Sequence, residues 1–343
     1  MKSSLFAVLA CSASFAATVA AAEGNLNLYN YSGYISEDLV KKFEEKYDVK
    51  VTSDSYDSEE TLLAKLKLGG AGYDFAVGSQ AILPIIISEG LAENIGASAM
   101  PGYANVIPEL QKPEWDPTGE YSIPYQWGTT NFAIDTDVVP ASDSLKSLYE
   151  PDAALAGKIN MFDSSSEVIA QASIYLGVPQ CSEDPDQMQK VADLLMAQKP
   201  SVRSYSSKAG AIRDQLVAGE IAMSPLYSGS TMRGRELKPS LAYVYPKEGS
   251  LAWVDNAFVP KGAKNLENAK LFIAFLLEPE NAAMNTNFLK YPSGISGAEA
   301  FYDAAIKDAP EMAAPATSPL VFKKTCGDAA VKLQDLIWTN LMK

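Results

Sequence analysis

Histidine is absent from all 343 residues. Without an imidazole the chain cannot run Ser-His-Asp or Cys-His catalysis, nor bind zinc through histidine nitrogen. The sequence also lacks a P-loop, a Gly-x-Ser-x-Gly elbow and a cluster of metal-ligating residues, so an enzyme is the weakest reading and no cofactor or metal is expected. Long apolar runs are missing too. Nothing approaches the roughly 20 residues of a membrane-spanning helix, which predicts a chain that does not cross a bilayer. Basic residues are in deficit, 28 against 42 acidic ones for a formal charge of −14, and this disfavours nucleic acid as a partner. Such acidity either keeps an exported protein in solution or gathers a cationic ligand. Charge alone leaves both readings open.

Cysteine is scarce, with three residues in all. The first, Cys11, lies in what reads as a secretory leader over residues 1–22: Lys2, an Ala-rich apolar middle, and the small-residue exit VAAAEG, cleaved between Ala22 and Glu23. Val8-Leu9-Ala10 before Cys11 loosely matches a lipoprotein signal, but fewer residues precede it than such a signal needs. The leader carries one lysine and no acid, so the mature chain has a formal charge of −15. Export to an oxidising compartment permits Cys181 and Cys326 to pair, and the sequence leaves their state open.

What remains is an α/β chain longer than one hydrophobic core usually serves, hence two lobes. Strand-length runs alternate with helical spacing: NLNLYNY, then SEDLVKKFEEKY with Ser36 as a candidate N-cap, VKVTSDSY, DSEETLLAKLKLGG and YDFAVGS. From Tyr121, the long segment YSIPYQWGTTNFAID is suited to crossing between lobes. A second α/β series follows, then a second crossing candidate, LAWVDNAFVP, two helices, and a terminal helix from about Lys323 to Leu341. The stretch from Ala309 to Pro319 reads as a linker. This divides the chain into residues 23–131 and 257–316 for one lobe, 132–256 for the other, and 317–343 returning to the second. Such lobes enclose a cleft at the carboxyl ends of their strands.

Polar aromatics gather at those ends. Tyr31 and Tyr34 follow the first strand, Ser79 the third, and Tyr227 ends IAMSPLY. Their electronegative ring faces suit an ammonium ion, and a ring stacked on one contributes about 0.5–2 kcal/mol. Strand alternation puts Trp253 and Asp255 on one face, ring beside carboxylate, although a core tryptophan and a surface aspartate would give the same pattern. Glu167 stands three residues after Ser164, which is the capping-box spacing, so it either closes a helical turn or faces the cleft.

Taken together, LYNYSGYI, YDFAVGS, YSIPYQWGTTNFAI, MFDSSSEV, LYSGS, YPKEGSLAWVDNAFVP and KYPS resemble, in the same order, the periplasmic spermidine- and putrescine-binding proteins of bacterial ABC uptake systems. The resemblance implies a type II two-lobe periplasmic-binding-protein fold and a monomeric receptor in the periplasm. It also implies a cleft that grips a protonated polyamine and a handover to ABC permease subunits. A polyamine sensor signalling to a membrane receptor, or another ligand on the same scaffold such as ferric iron or an anion, are the alternatives. Residue by residue it assigns Tyr31, Ser32, Tyr34, Ser79, Glu167, Tyr227, Trp253, Asp255 and Tyr291 to the ligand. Tyr31 and Tyr227 stand where the family has tryptophan, Ser164 replaces an acid, and Ala81 replaces an aromatic. Cys326 falls near an expected cleft-facing glutamine.

Overall fold

The computed structural model describes residues 24–56, 58–69 and 72–343. The expected leader lies outside them. Among the described residues no helix is long and apolar enough to cross a membrane.

The first half of the chain builds β1 (Gly24–Tyr31), α1 (Glu37–Tyr47), β2 (Val49–Tyr56), α2 (Glu59–Lys67), β3 (Phe75–Ser79) and the short α3 (Leu83–Ser88). A long strand, β4 (Ser122–Asp135), then leads to α4 (Lys146–Tyr149), β5 (Ile159–Met161), α5 (Ser165–Leu176), α6 (Pro185–Gln198) and β6 (Val202–Tyr205). After them come α7 (Ala209–Ala218), β7 (Met223–Tyr227), α8 (Ser228–Leu237), β8 (Leu241–Val244) and β9 (Ser250–Phe258). The chain ends with α9 (Leu266–Leu276), α10 (Pro279–Leu289), α11 (Ala304–Lys307), β10 (Leu320–Phe322) and α12 (Asp328–Leu341).

Local chemistry accounts for several of these boundaries. Ser36 caps α1 by accepting from the Leu39 N–H, while Leu39 and Phe43, one turn apart, bury the helix's apolar face. Asp184 caps α6, with Pro185 in the first turn where its missing N–H costs nothing.

The strands form one continuous sheet in the order β2-β1-β3-β9-β4-β7-β5-β6, with β8 beside β4 and β10 beside β9. Two parallel sets, β2-β1-β3 and β7-β5-β6, flank the antiparallel pair β9 and β4. The hand-over lies within β4, which pairs with β9 from Ser122 to Thr130 and with β7 from Thr130 to Ile134. Each parallel set has its own hydrophobic core. One gathers Leu26, Phe43, Phe75 and Phe272, the other Phe132, Ile159, Met223 and Leu226. This is the type II two-lobe arrangement, with β4 and β9 serving both halves.

Three expectations need correction or completion. Residues 309–319 are no linker: Glu311 is buried and takes a two-pronged ion pair from Arg235 at 2.7 and 2.8 Å, while Ser318 bonds the Ser250 hydroxyl at 2.7 Å. The terminal helix begins at Asp328, and the residues just before it include the strand β10, lying parallel to β9. Cys181 and Cys326 are joined by a disulfide.

Candidate ligand-binding site

The turn after β1 is fixed before any ligand enters. Tyr31 ends the strand, and the Tyr34 N–H returns to its carbonyl at 3.3 Å. The Tyr34 carbonyl accepts from Asn30 Nδ2 at 3.2 Å and from the Tyr125 hydroxyl at 2.6 Å. Both tyrosine rings are thereby turned inward. Ser32 occupies the corner of this turn, is exposed, and does not line the cavity.

Glu59 opens α2 and reaches toward the ends of β1 and β3. Its Oε1 accepts the Ser79 N–H at 3.1 Å and the Tyr31 hydroxyl at 3.2 Å. Ser79 in turn pairs in register with Asp255 of β9.

Along β9, Trp253 and Asp255 do share a face, as alternation requires. The tryptophan lies over Gly128, its partner across the β4–β9 pair. A Cβ there would sit 2.6 Å from Trp253 Cζ2, so only glycine lets the ring lie flat against the strand. Asp255 is 8% exposed and receives the Tyr34 hydroxyl at 2.7 Å on Oδ2. Burial pushes its carboxyl up to about 7, with the nearby Glu59 charge adding to the rise and the Tyr34 hydrogen bond opposing it.

The opposite lobe supplies Glu167 and Tyr227. Ser164 makes no side-chain cap bond to α5 and is instead within hydrogen-bond distance of Ser166, so the capping-box role does not hold Glu167. That carboxylate faces the cavity, with Oε2 shielded from solvent and unpartnered. Burial raises its pKa, against the Lys323 ammonium and the Tyr227 hydroxyl. Tyr291 packs on α8 at Gly229, where a Cβ would meet its ring at 2.7 Å.

Eight of the nine candidate residues, all but Ser32, meet in one cavity of about 330 Å³, within the usual range for a small-molecule site. Their rings form an arc: Tyr31 to Tyr34 at 5.6 Å between centroids, Tyr34 to Tyr291 at 6.4 Å, Tyr291 to Trp253 at 5.1 Å, Trp253 to Tyr227 at 6.3 Å. Burial and neighbouring carboxylates hold the phenols of Tyr31, Tyr34 and Tyr227 neutral, so they act as hydrogen-bond donors. A carboxylate stands beside the arc at three places, Glu59, Asp255 and Glu167. Such a surface offers ring faces to methylene groups and anions to ammonium groups.

Three lining residues escaped the sequence reading: Glu59, Gln80 and Lys323. Glu59 looks in sequence like an ordinary first-turn acid. Gln80, not Ala81, lines the cavity after β3, and Lys323, not Cys326, projects there from the segment after β10.

Two lobes sharing two antiparallel strands, with a deep cleft at their parallel strand ends, define a solute-binding receptor of the type II class. A family model described as bacterial extracellular solute-binding protein matches residues 38–314, and the chain belongs to that family. Among its relatives, the putrescine-binding periplasmic protein SpuD of Pseudomonas aeruginosa is 31% identical over 303 residues, covering 83% of this chain and 82% of that protein. The spermidine/putrescine-binding periplasmic protein of Escherichia coli is 30% identical over 271 residues, 78% and 77% of the two chains. The structure of PotD, a spermidine/putrescine ABC transporter substrate-binding protein from Streptococcus pneumoniae, matches with a TM-score of 0.85 at 26% identity. It covers 93% of this chain and 99% of that one.

Proposed function

We propose that this chain is a monomeric periplasmic receptor that captures a protonated linear polyamine between its lobes and delivers it to the membrane subunits of an ABC importer. The observation that carries the reading is the combined arc of rings and three carboxylates, drawn from both lobes of one chain onto one cavity. The names of its relatives support the ligand class and the compartment. In this reading Tyr34 aims Asp255 at one ammonium, Trp253 and Tyr291 cover the methylene chain, and Glu167 and Glu59 face the remaining positive charge. The lobes are 23–131 with 257–316, and 132–256 with the returning 317–343. Contacts from both favour the closed form once ligand is present, and that closed form is what the permease reads.

Calorimetric titration of the mature protein with putrescine and spermidine tests this. At least one binds, and Asp255→Ala and Trp253→Ala each weaken it by about tenfold or more, because a buried ammonium left unpaired is costly. Absence of heat with both amines, or equal affinity in the wild type and Asp255→Ala, contradicts the assignment.

A further inference from the structure

The cavity holds one residue of the ligand's own charge. Against Glu59, Glu167 and Asp255 stands Lys323, so with all four ionised the lining carries a net charge of −2. We propose that Lys323 sets the charge of the ligand: its ammonium stands in for one cation of a triamine, and the cleft therefore selects linear diamines over triamines. The proposal rests on the polyamine reading of the cleft.

The main chain at Lys323 is fixed on several sides, which roots the side chain at the edge of the cavity. Phe322 pairs in register with Ala252 of β9, and the Lys323 N–H donates to the Ala252 carbonyl at 3.0 Å. From the other side Gln80 Nε2 donates to the Lys323 carbonyl at 3.4 Å. Gln80 is itself locked to Val254, accepting its N–H at 2.9 Å on Oε1 and donating its own N–H to the Val254 carbonyl at 2.8 Å. Three residues on, Cys326 is tied to Cys181. The Phe322 ring lies 5.8 Å from that of Trp115. The backbone is thus pinned on both flanks, and the Lys323 side chain lines the cavity.

Its charge acts in both lobes: it opposes the burial that raises Glu167 on α5, and it adds to the backbone and Ser58 hydrogen bonds that lower Glu60 on α2. A dication then neutralises what remains. A third ammonium would meet Lys323 at short range in a site of reduced dielectric, where like charges repel strongly.

The test is calorimetry of the full mature chain with putrescine, spermidine and 4-aminobutyrate, in the wild type, Lys323→Gln and Lys323→Arg. Wild-type protein is expected to bind putrescine more tightly than spermidine by about tenfold or more, and Lys323→Gln to shift that ratio toward spermidine by about tenfold, while Lys323→Arg keeps it. A ratio unchanged in Lys323→Gln overturns the proposal, as does wild-type binding of spermidine at least as tight as putrescine. Tighter binding of 4-aminobutyrate than of putrescine overturns it too, assigning Lys323 to a ligand carboxylate. Failure of the wild type to bind either polyamine is a different outcome and rejects the cleft reading itself.

Discussion

Replacing Asp255 by asparagine should make the ligand-free protein more stable. Asp255 is 8% exposed, and its carboxyl is raised from 3.8 to about 7 by burial and by the Glu59 charge. A raised folded-state pKa means that the folded protein holds its proton more tightly than the unfolded chain does. The group therefore favours folding at low pH, and this advantage is lost as pH rises through the folded value. Above pH 7 the folded state must hold a buried anion, and the linkage works out to about 4 kcal/mol at pH 8 and less than about 2 kcal/mol at pH 5. Asparagine removes the charge, keeps the shape, and still offers Tyr34 an acceptor. Urea unfolding of ligand-free wild type and Asp255→Asn at pH 8 and pH 5 reads this directly. The variant should gain stability at both values, with the larger gain at pH 8. A variant less stable than wild type at pH 8, or one with a gain independent of pH, would refute the electrostatic account. The same substitution should abolish tight polyamine binding, so stability and function pull in opposite directions at this position.

Binding itself should depend on pH in the same window. With the free carboxyl near 7 and only its anion pairing with ammonium, affinity falls by about tenfold between pH 8 and pH 6, and association at pH 6 releases close to one proton. Titration in buffers of different ionisation enthalpy measures that release. Asp255 faces Glu59, whose charge adds to the rise, and the phenols of Tyr31, Tyr34, Tyr227 and Tyr291, which burial keeps protonated. Gly128→Ala places a methyl group 2.6 Å from the Trp253 ring. It should cost about 1–3 kcal/mol of stability and weaken polyamine binding, read by denaturation and titration; an unchanged affinity would mean that the ring's position does not matter. The Cys181–Cys326 bridge closes a sequence separation of 145 residues. Its removal in a Cys181→Ser, Cys326→Ser double variant should cost up to about 5 kcal/mol on the chain-entropy view, measured as a lower denaturation midpoint.

Much of the site was legible because it rests on local rules. Alternation alone put Trp253 beside Asp255, and the tyrosines after β1 announced an aromatic strand end. The helix cap at Ser36 follows the same short-range chemistry. What stayed hidden depends on which strands become neighbours. Lys323 reaches the cavity because β10 adds to β9, a pairing across about seventy residues that helical spacing near the terminus obscured. Gln80 matters through its bonds to Val254, and Glu59 through the meeting of β1 and β3 over the start of α2. Ser32 matched the family's segment by type, yet the turn that brings Tyr31 and Tyr34 inward leaves it at the outer corner. Burial of Glu311 by Arg235 is likewise a pairing that composition cannot reveal in an alanine- and proline-rich stretch.

A crystal structure of the mature protein with putrescine puts the central claim to its most direct test. We expect the diamine in the cavity, one ammonium within hydrogen-bond distance of Asp255 and the carbon chain against Trp253 and Tyr291. A well-ordered putrescine bound elsewhere, with the Trp253 and Asp255 side chains untouched, would contradict it.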